Sequence, residues 1–213
     1  MPGDSVIFLH GLGRTSASLA GMRAALTASG YRAMALDYPS TRHALPDLTA
    51  SLGPRIAEIA RGTPGDLHFV GHSMGGLLAR ALIAQARPER LGRLVMLGPP
   101  NRGSEIADRL GHLGLYRRVF GPAGLTLGTR SVPVWPDPDY PVGVIAGTRT
   151  VDPIGWLMLP RPNDGRVSVA ATRIAGLQGH LVLPVSHALM MHHPTVIAQT
   201  LRFLAGGGFG TGR

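Results

Sequence analysis

Six short runs of apolar residues recur along this chain of 213 residues, and segments of helical periodicity separate most of them. The runs cover residues 6–9, 33–36, 67–70, 94–97, 142–146 and 181–185. Because a strand buried on both faces carries mainly apolar side chains, such runs are typical of the strands of a parallel sheet. Their alternation with helices predicts βαβ units, with helices on both faces of the sheet.

Four segments carry the helical pattern, at residues 16–29, 46–61, 74–87 and 194–204. Apolar residues make up 44% of the chain, which is enough for one substantial core. We therefore predict an α/β fold with a mostly parallel sheet of about six strands and no large cap domain. We expect a single domain over residues 1–205.

The connection between the fourth and fifth runs, residues 99–141, contains one short helical pattern among many glycines and prolines. Long connections are more often functional than structural, so we expect this one to form a small lid or a wall of the pocket. The last residues, 206–213, read GGGFGTGR and offer little to pack. We expect them to form a flexible tail.

Composition argues against several classes of function. The chain has no cysteine, so neither a disulfide framework nor a cysteine nucleophile is available. Its 21 basic residues are all arginines, but they are dispersed and aromatic residues make up only 5%, so we expect no nucleic-acid partner. The first residues lack the pattern of a signal peptide, and no apolar stretch reaches the roughly 18 residues of a membrane span. We therefore expect a cytoplasmic protein without stable membrane insertion.

One serine stands where a strand-like run changes to a helical one with almost no turn between them. The stretch LHFVGHSMGGLLAR starts at Leu67 and places Ser73 between Gly71 and Gly75. So tight a turn forces backbone atoms together, which favours residues without a Cβ, and it exposes the side chain at its apex. This pattern is typical of a nucleophile elbow, and Ser73 is the candidate nucleophile.

A serine hydroxyl needs a base that removes its proton, and histidine commonly serves. His187 follows the last apolar run by two residues, at the carboxyl edge of the predicted sheet, where the active sites of such sheets form. His72, next to the serine, is expected to point elsewhere. Three more histidines are expected at the opposite end of the last run or in solvent, namely His180, His192 and His193. His187 is therefore the candidate base.

The histidine in turn needs a carboxylate that holds its tautomer. Two aspartates follow the fifth apolar run and precede His187, so the order serine, acid, histidine is kept with either. Asp152 lies closer to that run, beside an apolar segment, IGWLML, that we expect to form a packed wall. Asp164 lies in the turn-favouring segment PNDG, and the strand-like RVSV after it would anchor such a turn.

Acyl transfer also needs backbone N–H groups that receive the negative charge developing on an oxygen. The first apolar run leads into HGLG at residues 10–13, whose glycines let the backbone approach a ligand. The N–H of Leu12 is one candidate donor. The other is the N–H of Met74, directly after the candidate nucleophile and at the start of a helix.

Together these segments resemble the bacterial lipases and esterases of the α/β-hydrolase superfamily. HGLG is similar to the oxyanion loop of that group, GHSMGG to its nucleophile elbow, GPPNRGS to the segment after the next strand, NDGRVSV to its acid loop, and the SH after the last run to its histidine. The resemblance implies one role for each candidate: nucleophile for Ser73, acid for Asp164, base for His187, and oxyanion donors for Leu12 and Met74. It thus favours the later of the two aspartates as the acid.

We therefore expect a carboxylic ester hydrolase that works through an acyl-enzyme, acts on a small-molecule ester or lipid, and needs no cofactor or metal. The same residues would serve a thioesterase or an amidase, because leaving-group preference depends on the shape of the pocket. A non-catalytic binding protein on the same fold is the alternative from another class. Because the connection 99–141 is too short for a large cap, we expect an open site that prefers short to medium acyl chains.

Overall fold

The computed structural model of the protein describes residues 3–151 and 153–210, and in these ranges six strands form one sheet. The strands are β1 (Ser5–Leu9), β2 (Arg32–Leu36), β3 (Leu67–His72), β4 (Leu91–Leu97), β5 (Val142–Gly147) and β6 (Gly179–Leu183). Their order in the sheet is β2-β1-β3-β4-β5-β6, and every neighbouring pair is parallel. The predicted parallel sheet of an α/β fold is confirmed, so the carboxyl ends of all the strands lie at one edge.

Seven helices of the described ranges connect and cover these strands. They are α1 (Ala20–Ala28), α2 (Leu45–Arg61), α3 (Met74–Gln85), α4 (Glu105–Leu110), α5 (Gly114–Thr126), α6 (Pro153–Met158) and α7 (Pro194–Gly206). Short 3₁₀ turns precede α1 and α7, at Ser16–Leu19 and Met190–His192. Helices α2 and α3 pack on one face of the sheet, and α1 and α7 pack on the other. None of these helices is both long and apolar enough to cross a bilayer.

Alternate side chains of one strand enter two different cores, as β1 illustrates. Ile7 and Leu9 belong to the apolar cluster under α2 and α3, whereas Val6 and Phe8 belong to the cluster under α1 and α7. All of them are fully buried, and burial of each side chain contributes roughly 1.5–3 kcal/mol. This two-sided burial explains why the strand reads as a continuous apolar run rather than as an alternating one.

Strand β6 ends two residues before the predicted end of its run. Its pairing with β5 stops at Leu183, because the N–H of Val185 donates to the carbonyl of Leu183 at 2.8 Å and turns the chain away. A short turn therefore separates β6 from His187, which is still at the carboxyl edge of the sheet.

The connection 99–141 forms two helices, α4 and α5, where one short helical pattern is expected. Helix α5 bends at Gly121, whose φ is 59°, directly before Pro122. A Cβ at Gly121 would lie 1.6 Å from the carbonyl oxygen of Thr41, so only glycine lets these two segments approach so closely. The described parts of the chain contain no large cap over the edge of the sheet.

The segment IGWLML forms the expected packed wall only in part: Leu159 is buried and Met158 packs against the core, but two of its larger side chains are exposed. It lies largely in α6, where the side chains of Trp156 and Leu157 are 60% and 77% exposed. The guanidinium of Arg161 lies over the ring of Trp156, 3.9 Å from its centroid. One end of this apolar run is therefore packed, whereas Trp156 and Leu157 face solvent.

Residues 206–210, expected in a flexible tail, are packed against the fold. The ring of Phe209 lies 4.8 Å from that of Phe203, measured between centroids. The N–H of Gly210 donates to a side-chain oxygen of α7 at 2.8 Å. The amide NH₂ of the same side chain donates back to the carbonyl of Gly210 at 3.3 Å. One aromatic ring and two hydrogen bonds therefore order a segment that looks featureless as a sequence, while 211–213 lie outside the described residues.

Candidate active site

Ser73 lies between the end of β3 and the start of α3, and its backbone is strained. Its φ of 54° and ψ of −123° fall in a region that L-residues rarely adopt, and it is the one non-glycine residue of the described ranges with a positive φ. Its N–H donates to the carbonyl of Leu97 at the end of β4, at 2.8 Å. This bond holds the strained turn against the edge of the sheet.

Close backbone contacts require the glycines on both sides of Ser73. A Cβ at Gly71 would lie 2.4 Å from the backbone nitrogen of Gly76, and a Cβ at Gly75 would lie 2.2 Å from the carbonyl oxygen of Leu9. These neighbours are backbone atoms, so a larger residue would have to push β1, β3 and α3 apart. The G-x-S-x-G spacing is therefore a steric requirement of this turn.

A cleft of about 260 Å³ opens beside Ser73, and we call it the Ser73 cleft. Its apolar wall comes from the connection 99–141, through Ile106, Leu110, Tyr116, Phe120 and Leu127. The rest of its lining includes Leu12, Arg14, His72, Arg166 and His187. The structure thus brings the candidate nucleophile and the candidate base to one cavity.

Asp164 and His187 form a buried pair at the same edge of the sheet. The Nδ1 of His187 lies 2.7 Å from the Oδ2 of Asp164, and the two side chains are 11% and 1% exposed. A carboxylate accepts hydrogen bonds, so Nδ1 carries the proton and the Nε2 of the neutral ring keeps a free lone pair. This pairing selects the tautomer of His187 that can take a proton from a hydroxyl group.

The second oxygen of Asp164 holds the loop that carries it. Oδ1 accepts hydrogen bonds from the backbone N–H groups of Arg166 and Val167, at 2.9 and 2.8 Å. The carbonyl of Asp164 also accepts from the backbone N–H of His187, at 2.9 Å. The acid loop and the histidine loop are therefore connected through side chain and backbone alike. Asp152, the alternative acid, lies outside the described residues.

The pair of Asp164 and His187 lies beside the end of β4, against a glycine for which the sequence pattern predicts no role in the site. Gly98 follows that strand with a φ of 56°. A Cβ there would lie 3.0 Å both from the Oδ2 of Asp164 and from the Nδ1 of His187. A larger residue at this position would press on the pair.

The segment HGLG leaves β1 and passes beside the serine. The N–H of Arg14 donates to the carbonyl of Gly11 at 3.2 Å, which closes a turn in which Gly13 has a φ of 68°. A Cβ at Gly11 would lie 3.3 Å from the Cβ of Ser73 and 2.9 Å from the Nδ1 of His72. The backbone of this loop therefore lies directly against the elbow.

Two backbone N–H groups at this junction have no acceptor among residues 3–151 and 153–210. One belongs to Leu12, which lines the Ser73 cleft, and the other belongs to Met74, the first residue of α3. The N–H groups at the start of a helix lack partners within the helix and carry partial positive charge. Both candidate donors are thus available to an oxygen.

The side chain of His10 holds the backbone of this loop through buried contacts. Its buried ring stacks on Tyr38, with the centroids 4.0 Å apart, and its Nδ1 donates to the carbonyl of Gly11 at 2.9 Å. The hydroxyl of Tyr38 donates to the carbonyl of His10. Burial lowers the pKa of His10, which keeps the ring neutral near pH 7. Its role in this position is structural.

His72, the last residue of β3, contacts the candidate base rather than the serine. Its Nε2 donates to the backbone carbonyl of His187 at 3.0 Å, and the two rings lie 4.8 Å apart. Burial lowers the pKa of His72 well below its usual value, and the charge of a protonated His187 lowers it further. A neutral ring therefore ties the loop of His187 to the strand that carries Ser73. Its place at the end of a strand, beside the elbow, is the one sequence signal that could have indicated this contact.

The other histidines considered as bases have different contacts. The Nε2 of His180 lies 2.9 Å from the hydroxyl of Thr172, and the Nδ1 of His193 accepts from the N–H of Thr195 at the start of α7. Within the described ranges, no group of three or more histidine and acidic side chains has the geometry of a metal site.

Comparison with known proteins gives a consistent result. A family model described as the alpha/beta hydrolase fold matches residues 4–116. A probable esterase of Oryza sativa is 34% identical over 102 residues, which are 45% of this chain and 38% of the plant protein. The match thus spans well under half of that curated relative.

Solved structures resemble the chain over nearly its whole length. The mature form of the Bacillus licheniformis lipase BlEst2 has a TM-score of 0.75 and 20% identity, over 93% of this chain and 88% of that one. The RedJ thioesterase of the prodiginine biosynthetic pathway in Streptomyces coelicolor has a TM-score of 0.65 and 17% identity, over 97% and 91%. At such identities the likeness establishes a common fold.

Proposed function

We propose, from the premise that this chain belongs to the alpha/beta hydrolase fold family, that it is a serine hydrolase that cleaves carboxylic esters. One observation carries the proposal: a serine in a strained strand-to-helix turn shares one cleft with a histidine whose Nδ1 is held by a buried aspartate. A purely structural turn would require neither the strain at Ser73 nor the oriented pair of Asp164 and His187.

In the proposed mechanism the Oγ of Ser73 attacks the ester carbonyl while the Nε2 of His187 takes the hydroxyl proton. Asp164 stabilises the imidazolium that forms, and the N–H groups of Leu12 and Met74 bind the oxyanion of the tetrahedral intermediate. His187 then returns the proton to the departing alcohol, which leaves an acyl group on Ser73. Water, activated by His187 in the same way, releases the acid and restores the enzyme. Each oxyanion donor is worth about 10²–10³ in kcat where such donors have been removed singly.

The size of the Ser73 cleft supports a small substrate. Its volume of about 260 Å³ lies just below the range of typical ligand pockets, which is roughly 300–1,000 Å³. We propose that short to medium acyl chains lie on the apolar wall and that soluble esters, rather than emulsified long-chain lipids, are the better substrates. The connection 99–141 then acts as the wall of the site.

Covalent labelling tests the proposal directly. A fluorophosphonate should add one mass increment to the peptide that contains Ser73, and Ser73→Ala should abolish both the label and the hydrolysis of p-nitrophenyl butyrate. Ser104, another serine of the cleft lining, is the control: its Oγ accepts a hydrogen bond from the N–H of Ala107 and caps α4. Because its proposed role is structural, Ser104→Ala should still be labelled at Ser73. Labelling at a different residue would refute the mechanism, and its complete absence would favour a non-catalytic binding protein.

Matched substrates then identify the bond that is cleaved. We expect kcat/KM to be higher for phenyl butyrate than for butyranilide, and a chain-length series of p-nitrophenyl esters should peak at short to medium acyl groups. A thioester that is cleaved much faster than its oxygen counterpart would indicate a thioesterase instead. Strong activation by emulsified long-chain triglycerides would contradict the proposed size preference.

A further inference from the structure

The walls of the Ser73 cleft differ in character. Side chains of α4, α5 and the following turn form the apolar wall, through Ile106, Leu110, Tyr116, Phe120 and Leu127. Arg14 and Arg166 also line the cleft, and the described part of its lining contains neither aspartate nor glutamate. The cleft therefore offers an apolar surface and positive charge to one and the same ligand.

Of the two cations, Arg14 is the one available to a ligand. Its side chain is half-buried, and no hydrogen bond or ion pair of its guanidinium is found among residues 3–151 and 153–210. Arg166, by contrast, is already engaged, since its Nη1 donates to the carbonyl of Gly165 at 2.9 Å.

Hydrogen bonds hold the backbone around Arg14, which fixes the position of its Cα and the direction in which its side chain leaves the loop. Its N–H closes the turn at the carbonyl of Gly11, and the N–H of Gly13 donates to the hydroxyl of Ser40 at 3.0 Å. This is the same loop that places the N–H of Leu12 beside the elbow. A ligand whose carbonyl reaches Ser73 would therefore bring its neighbouring atoms within range of Arg14.

The charge of Arg14 also acts on the interior of the site. It contributes to the lowered pKa of the buried His72, after the effects of burial itself and of His187. Because Arg14 is half-buried, its guanidinium is less solvated than that of an exposed surface arginine, so an anion in the cleft would interact with it more strongly.

We infer that Arg14 binds an anionic group of the substrate, such as a carboxylate, sulfonate or phosphate close to the scissile ester, while the apolar part of the substrate lies against the α4–α5 wall. The inference rests on the proposed function, because it names the substrate class of the same site. The planar guanidinium can donate two parallel hydrogen bonds to such a group, which a lysine in its place could not do.

Paired substrates test whether this recognition takes place. The anion can lie on the acyl side, as in mono-p-nitrophenyl glutarate against p-nitrophenyl pentanoate, or on the leaving group, as in p-sulfophenyl butyrate against phenyl butyrate. We expect Arg14→Gln to lower the ratio of kcat/KM for the anionic over the neutral ester by about tenfold in one of the two pairs, the scale of a charge-assisted hydrogen bond. The pair that responds identifies the side on which the anion lies.

Arg23, an exposed residue of α1, is the matched control. Arg23→Gln removes the same charge from the chain and should leave the ratio unchanged in both pairs. The effect of Arg14→Gln should shrink at about 1 M salt, where the Debye length falls to about 3 Å. Equal losses for anionic and neutral esters, or an equal effect of Arg23→Gln, would overturn the inference.

Binding without turnover separates this inference from the proposed function. In Ser73→Ala, calorimetry should give a Kd that rises about tenfold when Arg14→Gln is added, for one of the two anionic esters, mono-p-nitrophenyl glutarate or p-sulfophenyl butyrate. If the parent protein hydrolyses neutral esters but neither Kd changes, the anion site is wrong and the hydrolase proposal stands. If Ser73 is not labelled and no ester is cleaved but one Kd does change, the mechanism is wrong and the anion site stands.

Discussion

The replacement Asp164→Asn changes one atom of the site and should nearly abolish activity. Asp164 accepts three hydrogen bonds: Oδ1 accepts from the N–H groups of Arg166 and Val167, and Oδ2 accepts from the Nδ1 of His187. An asparagine has one acceptor oxygen and one NH₂ donor, so it can satisfy only one side of this arrangement.

The count of hydrogen bonds decides how the asparagine lies. If its oxygen stays on the loop, two bonds of about 0.5–1.5 kcal/mol each are kept, and the NH₂ faces His187. If the amide flips, only the bond to His187 is kept and the NH₂ faces two N–H groups. The first orientation wins, so the Nδ1 of His187 becomes an acceptor, the proton moves to Nε2, and the ring can no longer take a proton from Ser73.

We expect kcat toward p-nitrophenyl butyrate to fall by about four orders of magnitude, the scale seen when a triad acid becomes an amide. This corresponds to about 5 kcal/mol in the activation free energy. The melting temperature should change little, because the hydrogen bonds of the loop survive. Asp152→Asn is the matched control and should retain most activity. An active Asp164→Asn together with an inactive Asp152→Asn would refute this reasoning and transfer the role of the acid to Asp152.

Three further predictions follow from other contacts. His72→Leu removes the donor to the carbonyl of His187 and so misplaces the base. In steady-state assays it should lower kcat by roughly tenfold to a hundredfold with little change in KM. His72→Gln keeps an N–H near the position of Nε2 and should recover most of that loss. Gly75→Ala should destabilise the fold by more than about 3 kcal/mol, because the added methyl meets backbone, whereas Gly21→Ala, whose methyl would meet nothing within 4 Å, should stabilise α1 by about 0.5–1 kcal/mol in urea unfolding. Burial lowers the pKa of His180 to about 4 in the folded protein, whereas the same histidine in the unfolded chain titrates near pH 6.5. The stabilising contribution of neutral His180 is therefore complete above about pH 6.5 and is lost as the pH falls toward about 4. The melting temperature should fall over that window, and it should fall less steeply in His180→Asn.

Local patterns were enough to predict the sheet and the elbow. The continuous apolar run of β1 predicts burial on both faces of the sheet, because the side chains of a central strand pack alternately into the two cores. Likewise, Gly71 and Gly75 flank Ser73 because a turn without length leaves no room for a Cβ. Such features depend on neighbours close in the chain or on the face of one element, so they are legible in a linear sequence.

Contacts between distant segments could not be read in this way. The choice between Asp152 and Asp164 depends on which loop reaches His187, and residue type and turn signals alone left both open. The tail from 206 onward looked flexible because nothing near it in sequence packs, yet Phe209 finds its partner in α7.

The sequence by itself determined the six strands and the four helical segments that lie between and after them, the tight turn at Ser73, and the chain order of the candidate serine, acid and histidine, because each follows from local sterics, hydrophobic periodicity or position along the chain. Only the tertiary structure decided that His72 anchors the loop of His187, that Gly98 leaves space for the pair of His187 and Asp164, and that Arg14 lines the same cleft as the apolar wall. These relations join residues far apart in the chain, and their distances are set by how the packed loops meet at the edge of the sheet.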